Sequence, residues 1–128
     1  DDPIQTAIAT QLLTNHDGYV LNTVWLEVVW VLSSKRGYAL PKEFVIDRIR
    51  HILALPRVYT KSMEEISWAL AWYTKGMDFA DALHLASLRK GERFATFDKD
   101  LVRQAGLMKV SQSILWLSER FNDNGPND

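Results

Sequence analysis

Apolar residues recur at helical spacing through most of this chain, in segments separated by short β-prone runs. Ile4, Ile8 and Leu12 lie four residues apart and predict a first helix over residues 3–14. A short apolar run at residues 19–22 predicts a buried strand. Helical and strand patterns then continue to alternate along the chain. This alternation predicts an α/β fold in which helices flank a mostly parallel sheet.

Turn and cap residues predict the bounds of the other elements. Ser62 and Glu65 have the spacing of a capping box, so a helix is predicted from Ser62 up to Gly76. Asp78 opens a further helix, and Gly91 ends it. The remaining predictions are helices at 23–35, 41–55 and 101–104, strands at 58–60, 94–97 and 107–110, and an amphipathic segment at 111–121.

Length and composition fit one globular domain. The 128 residues have a formal net charge of −1 and include no cysteine, which excludes disulfides and thiolate metal sites. No apolar run approaches the length of a membrane span, so we expect a cytoplasmic protein without membrane contact. The domain is predicted over residues 1–121, and the polar tail at 122–128 is expected to be disordered. Because the chain opens on Asp1 rather than Met, we expect an upstream segment in the native protein.

Glu27 is the only charged residue in an apolar run that extends over residues 24–32. A helix that is apolar on every side is expected to be covered on most faces. A lone carboxylate buried there is costly unless it is paired or bound to a metal ion. Thr23 is the predicted N-cap, and the acid of a capping box would then fall one residue before Glu27. Glu27 is therefore either a functional residue or a partly exposed acid paired with an arginine.

Three aspartates follow in later segments. Asp78 has the position of an N-cap, and Asp81 has the third helical position, where an acid can answer the cap or bind a cation. Asp98 lies at the carboxyl end of a predicted strand, where α/β sheets place their ligands. Asp100 suits the N-cap of the following helix better than Asp98. His84, one turn after Asp81, is more typical of a packing or surface residue than of a substrate contact.

Carboxylates that meet at the ends of neighbouring elements repel each other unless a cation lies between them. Mg²⁺ and Mn²⁺ prefer such oxygen ligands, so Asp78, Asp81 and Asp98 indicate metal-dependent phosphoester chemistry. The sequence contains no spacing typical of a nucleophile triad, a phosphate loop or a zinc site. A phosphatase or a DNA nuclease that uses a metal ion is the alternative within this chemistry.

Three segments together resemble the PIN-domain family, and most closely the VapC-type toxin ribonucleases of bacterial toxin–antitoxin pairs. They are residues 23–32, 78–83 and 95–98, and their order and spacing match the family pattern. The resemblance implies a three-layer α/β/α sandwich with a mostly parallel sheet. It also implies an endoribonuclease that hydrolyses RNA phosphodiester bonds with Mg²⁺ or Mn²⁺.

The resemblance also implies particular residues and partners. Glu27, Asp81 and Asp98 match the catalytic acids that gather around the metal ion, and Asp78 matches a supporting metal ligand or cap. The implied partners are RNA, a cognate antitoxin protein and a second copy of the chain in a homodimer. Loose clusters of basic residues offer either a solvated face or a patch for the RNA backbone: Lys35, Arg36, Arg48, Arg50, His51, Arg57 and Lys61.

One part of the family pattern has no counterpart in this sequence. Family members begin with a short central strand that carries an Asp-Thr-Asn motif, and residues 1–3 resemble the start of the helix that follows it. We therefore expect the first strand and its aspartate to be missing, which leaves a gap between the strands at 19–22 and 94–97. The alternative to a nuclease is an inactive module that binds an antitoxin or another partner protein.

Overall fold

The computed structural model describes residues 3–118. The chain divides into two compact units, with the boundary between Met63 and Glu64. Helices alternate with short strands that pair in parallel, in agreement with the predicted α/β class. The predicted tail at 122–128 lies outside the described residues, and one domain over 1–121 stays a prediction. In the described part of the chain, no helix has the length and apolar character needed to span a membrane.

The first unit contains three helices and a sheet of two parallel strands. Tyr19 lies opposite Tyr59 in the strand register. The indole Nε1 of Trp25 donates a hydrogen bond to Thr60 Oγ1 at 3.0 Å, which ties a helix to the end of a strand. The buried apolar residues are Trp25, Val29, Val45, Ile46 and Ile49. The elements are α1 (Pro3–Asn15), β1 (Gly18–Val20), α2 (Asn22–Ser33), α3 (Lys42–Leu53) and β2 (Val58–Thr60).

Helix α1 forms where the spacing of apolar residues predicts it, but its apolar stripe is exposed. The exposed fractions of Ile4, Ile8 and Leu12 are 71%, 62% and 56%. The periodicity therefore predicted the helix and the common face of these residues. It did not predict burial of that face, which in the structure is an apolar surface.

Helix α2 differs from the prediction at its start. It begins at Asn22 with Leu21 as N-cap, and the Leu21 side chain makes no capping hydrogen bond, so the prediction that Thr23 is the N-cap is wrong. The preceding strand ends at Val20, and this short connection leaves the capping position to an apolar residue. Gly37 lies in the turn after the helix, where a Cβ atom would collide with a backbone carbonyl of α2.

The second unit contains three helices and another pair of parallel strands. Thr96 lies opposite Trp116 in the register of this sheet. Its buried apolar side chains come mainly from three helices: Ile66, Ala69, Leu70, Tyr73, Met77, Phe79, Ala82, Leu83, Leu85, Ala86, Leu101 and Ala105. The elements are α4 (Met63–Thr74), α5 (Phe79–Ala86), β3 (Arg93–Thr96), α6 (Lys99–Leu107) and β4 (Ser113–Trp116).

Three predicted elements of this unit are wrong in extent or type. Helix α6 has nine residues rather than the four predicted at 101–104, and α5 ends well before Gly91. The strand predicted at 107–110 does not form, because these residues close α6. The backbone N–H of Val110 donates to the carbonyl of Ala105 at 3.0 Å, a bond typical of a helix C-terminus. Strand β4 lies instead within the segment predicted only as amphipathic.

Candidate functional site

Asp78 is the N-cap of α5, in agreement with its predicted position. Its side-chain Oδ1 accepts a hydrogen bond from the backbone N–H of Asp81 at 3.1 Å. Gly76 has a φ of +112°, a conformation that glycine adopts readily, and it turns the chain between α4 and α5. Met77, which follows it, is fully buried and anchors this connection. The turn, the anchor and the cap together fix both aspartates at the start of α5.

Asp98 is the N-cap of α6. Its Oδ1 accepts hydrogen bonds from the backbone N–H groups of Asp100 at 2.9 Å and Leu101 at 3.2 Å, and its own N–H donates to Thr96 Oγ1. The prediction that Asp100 caps this helix is therefore wrong; Asp100 pairs instead with Arg103 at 3.1 Å. Within residues 3–118, Oδ2 of Asp98 makes no hydrogen bond, which leaves this oxygen available to a ligand.

The pKa of the Asp81 carboxyl group is raised above its ordinary value. Partial burial is the largest cause that raises the pKa of its carboxyl group, and the charges of Asp78 and Asp98 raise it further. His84 acts in the opposite direction and lowers this pKa. Asp81 is therefore within electrostatic reach of both capping aspartates. The three carboxylates therefore share a local electrostatic field, while the metal site predicted from Glu27, Asp81 and Asp98 stays a prediction.

The two other candidate residues are exposed. His84 is exposed on the surface of α5, and the interpretation that it does not contact substrate stays a prediction. Glu27 is also exposed, so the prediction of a lone buried carboxylate is wrong. The physical reason is that α2 buries only Trp25 and Val29. In the described part of the chain Glu27 has no hydrogen bond or ion pair, and its role as a metal ligand stays a prediction.

The carboxylates suit a hard divalent cation in donor type and charge. Asp78 and Asp98 each use only Oδ1 for capping. The pKa of Asp81 is raised first by burial and then by the charges of Asp78 and Asp98, and a cation would offset both effects. Nevertheless, residues 3–118 contain no group of three or more acidic, histidine or cysteine side chains already arranged around one ion position. The donors therefore fit a metal ion chemically, while their arrangement is not a complete ligand shell.

Tyr73 is a neighbour of the site that sequence reasoning missed. Burial is the larger cause that raises the pKa of its phenol, and the charge of Asp78 adds to it. Its ring packs edge-on against Phe79, with ring centroids 5.6 Å apart. Tyr73 therefore supports the connection from α4 to α5 beside the capping aspartate. In the sequence, Tyr73 is a tyrosine in the last turn of an apolar helix, and this pattern does not indicate that it lies beside Asp78.

Comparison with known proteins gives one match. A family model described as the PIN domain matches residues 1–107, a span that includes Glu27, Asp78, Asp81 and Asp98. No curated protein and no solved structure matches the chain. The PIN domain is a nuclease-type domain, and such domains typically use divalent metal ions such as Mg²⁺.

Proposed function

Because the chain belongs to the PIN domain family, we propose that it is a metal-dependent endoribonuclease that hydrolyses phosphodiester bonds of RNA. The observation that carries this proposal is the placement of Asp78, Asp81 and Asp98 at the starts of two helices of the second unit, where burial raises the pKa of Asp81 and the charges of Asp78 and Asp98 raise it further. An acid with a perturbed pKa beside other carboxylates is typical of functional sites. Mg²⁺ or Mn²⁺ is the cofactor that this donor chemistry supports.

The chain's own residues have separate tasks in this proposal. Asp81 and Asp98 would hold the ion, and Asp78 would support them while it caps α5. When bound, a divalent ion would supply Lewis-acid chemistry, namely polarisation of the scissile phosphate and a lower pKa of the attacking water. Hydrolysis forms a bond between the water oxygen and phosphorus and breaks the bond to a ribose oxygen, which leaves with a proton. Backbone N–H groups fix Oδ1 of each capping aspartate, so little reorganisation is needed.

We further propose that the protein is the toxin of a bacterial toxin–antitoxin pair. The resemblance around Glu27, Asp81 and Asp98 supports this role, and it also supports a homodimer in the cytoplasm. The exposed apolar stripe of α1 suits a protein partner, because contiguous exposed apolar surface commonly marks an interaction site. Sedimentation of the purified protein over a range of concentrations tests the homodimer. A mass that stays at one chain throughout would contradict it.

Hydrolysis of a defined RNA tests the nuclease proposal. The protein is incubated with a labelled RNA and a DNA of the same sequence, with Mg²⁺, with Mn²⁺ or with EDTA. We expect RNA cleavage that needs the metal ion and is lost in Asp81→Asn, while the exposed control variant Asp47→Asn retains it. Cleavage by Asp81→Asn at the parent's rate overturns the proposal, and preferred cleavage of DNA favours the DNA-nuclease alternative.

A non-catalytic module that binds an antitoxin or another protein is the second candidate function. The observation that favours it is that residues 3–118 hold no preassembled group of three metal ligands. Calorimetric titration with Mn²⁺ separates the two candidates. Binding of Mn²⁺ that Asp81→Asn weakens, together with RNA hydrolysis, supports the nuclease. No binding and no hydrolysis supports the module.

A further inference from the structure

A cleft of about 480 Å³ lies in the second unit, between the C-terminal half of α6 and the end of α4. Its walls combine cationic, amide and apolar side chains, and none of them is acidic. The lining residues are Lys75, Arg103, Gln104, Leu107, Met108 and Lys109. We call this feature the basic cleft. Its cationic residues, Lys75, Arg103 and Lys109, do not belong to the clusters of basic residues that the sequence indicated.

Two cations of the basic cleft are available to an anion. Lys75 and Lys109 are exposed, and neither has an ion pair within residues 3–118. Arg103 is partly neutralised, because its Nη2 lies 3.1 Å and its Nε 3.3 Å from Oδ1 of Asp100. The cleft therefore carries a local positive charge on a protein whose net charge is −1, and an anionic ligand is favoured there.

Lys109 occupies a backbone position that favours glycine. It follows the C-cap Met108 of α6 and has a φ of +55°. The N–H groups of Lys109 and Val110 donate to the carbonyls of Gly106 and Ala105, which is the Schellman pattern of helix ends. A residue with a Cβ atom is strained in this conformation, and such strain is concentrated at functional sites.

The basic cleft is coupled to the carboxylates through α6. Gln104 Nε2 donates a hydrogen bond to the carbonyl of Gly76 at 3.2 Å, and Gly76 precedes the cap Asp78 by two residues. Asp98 caps the opposite end of α6, whose nine residues rise by about 13 Å. A nucleic acid strand with phosphates about 3.4 Å apart along its axis covers this length with about four nucleotides.

We propose that the basic cleft binds the phosphate backbone of the RNA strand, about four nucleotides from the bond cleaved at Asp81 and Asp98. This inference rests on the proposed nuclease function and assigns Lys75 and Lys109 as the residues that bind and orient the substrate. Arg103 contributes less while Asp100 holds it. The lysines also interact favourably with carbonyls at the ends of α4 and α6, but that role does not involve RNA.

Binding of a fluorescein-labelled single-stranded 12-mer of uridine tests the basic cleft. All proteins carry Asp81→Asn to prevent cleavage, and anisotropy is measured from 50 to 200 mM NaCl. The double change Lys75→Gln with Lys109→Gly should weaken RNA binding on the order of tenfold at the lowest salt concentration. It should also make the slope of log K against log salt concentration smaller by about 1.4, because each phosphate contact contributes about 0.7 for single strands. A control with the same loss of charge at exposed lysines outside the cleft and the basic clusters, Lys42→Gln with Lys90→Gln, should bind nearly as the parent.

Two further variants separate binding from folding. Lys109→Gly should raise the urea midpoint, because glycine relieves the positive-φ strain, yet it should weaken RNA binding. Asp100→Asn should strengthen RNA binding, because it releases Arg103. Equal binding by the double variant and the parent, or an equal loss in the control, overturns the inference. If the inference fails in this way but RNA hydrolysis still depends on Asp81, the nuclease proposal stands. If Asp81→Asn hydrolyses RNA as the unsubstituted protein does, the proposed nuclease function is itself wrong.

Discussion

Asp78 accepts a hydrogen bond from the backbone N–H of Asp81 at 3.1 Å, while its charge helps to raise the pKa of the Asp81 carboxyl group. One side chain therefore stabilises the start of α5 and opposes ionisation of its neighbour. Helix capping alone requires only Asp78, so the unfavourable charge of Asp81 calls for a second explanation. A bound cation provides one, since it reverses the sign of the electrostatic contribution at Asp81.

Asp81→Asn should make the metal-free protein more stable near neutral pH. The raised pKa means that folded protein holds this proton more tightly than the unfolded chain does. The free energy of unfolding therefore falls as the pH rises from the ordinary aspartate pKa through the raised one, and the full loss persists above it. Asp81→Asn has no carboxyl group at this position and therefore does not lose stability in this way as the pH rises. Urea midpoints of variant and parent should diverge as the pH rises above the ordinary aspartate pKa of about 4, and a constant difference would contradict the predicted linkage.

Two substitutions of Asp98 should separate its role in stability from its role in RNA cleavage. Asparagine caps a helix about as well as aspartate, so Asp98→Asn should keep the stability of the parent but lose RNA cleavage. Asp98→Ala also loses both bonds to the start of α6, which should lower the free energy of unfolding by about 1 kcal/mol. Urea denaturation and the RNA cleavage assay measure the two effects. Full cleavage by Asp98→Asn would reduce Asp98 to a helix cap.

The bond between Trp25 and Thr60 should account for part of the stability of the first unit. Thr60→Val keeps the shape of the side chain but leaves the indole N–H, on a fully buried residue, without its acceptor. We expect the free energy of unfolding to fall by about 1 to 2 kcal/mol. Thr60→Ser retains the hydroxyl and is the matched control, with a smaller loss. Equal urea midpoints for the serine and valine variants would show that this hydrogen bond contributes little.

The sequence predicted those parts of the fold that depend on local patterns. The spacing of Ile4, Ile8 and Leu12 and the capping position of Asp78 require only neighbouring residues, and the structure confirms α1 and the start of α5. Burial depends on what packs against an element in three dimensions. The apolar run around Glu27 predicted a covered helix, yet Trp30 is 59% exposed. Periodicity therefore predicted the element but not its environment.

At the candidate site, too, features that depend on neighbouring residues can be predicted from the sequence, and features that depend on residues distant in the sequence cannot. Asp98 and Asp100 both suit a cap in the sequence, and only the end of β3 at Thr96 decides that Asp98 takes this position. The sequence indicated Asp81 as a candidate site residue because it lies one helical turn after another acidic residue, Asp78. The basic cleft was missed because Lys75 and Lys109 are 34 positions apart in the numbering and belong to no charge cluster.

Glu27→Gln tests a role that the sequence alone predicts. The side chain is exposed and has no hydrogen bond or ion pair within residues 3–118, so the free energy of unfolding should change by less than about 0.5 kcal/mol. If Glu27 is one of the acids that hold the metal ion, RNA cleavage should nevertheless fall by at least about a hundredfold, the loss typical of a removed electrostatic contribution at the reacting centre.

The matched control is Glu43→Gln, which removes another exposed carboxylate of the first unit. It should leave cleavage unchanged. Raising the Mn²⁺ concentration should partly restore cleavage by Glu27→Gln, because a weakened metal site is filled by mass action. Cleavage by Glu27→Gln at the rate of the Glu43→Gln control would mean that Glu27 is an ordinary surface residue of α2, and the acids of the second unit would then have to act without it.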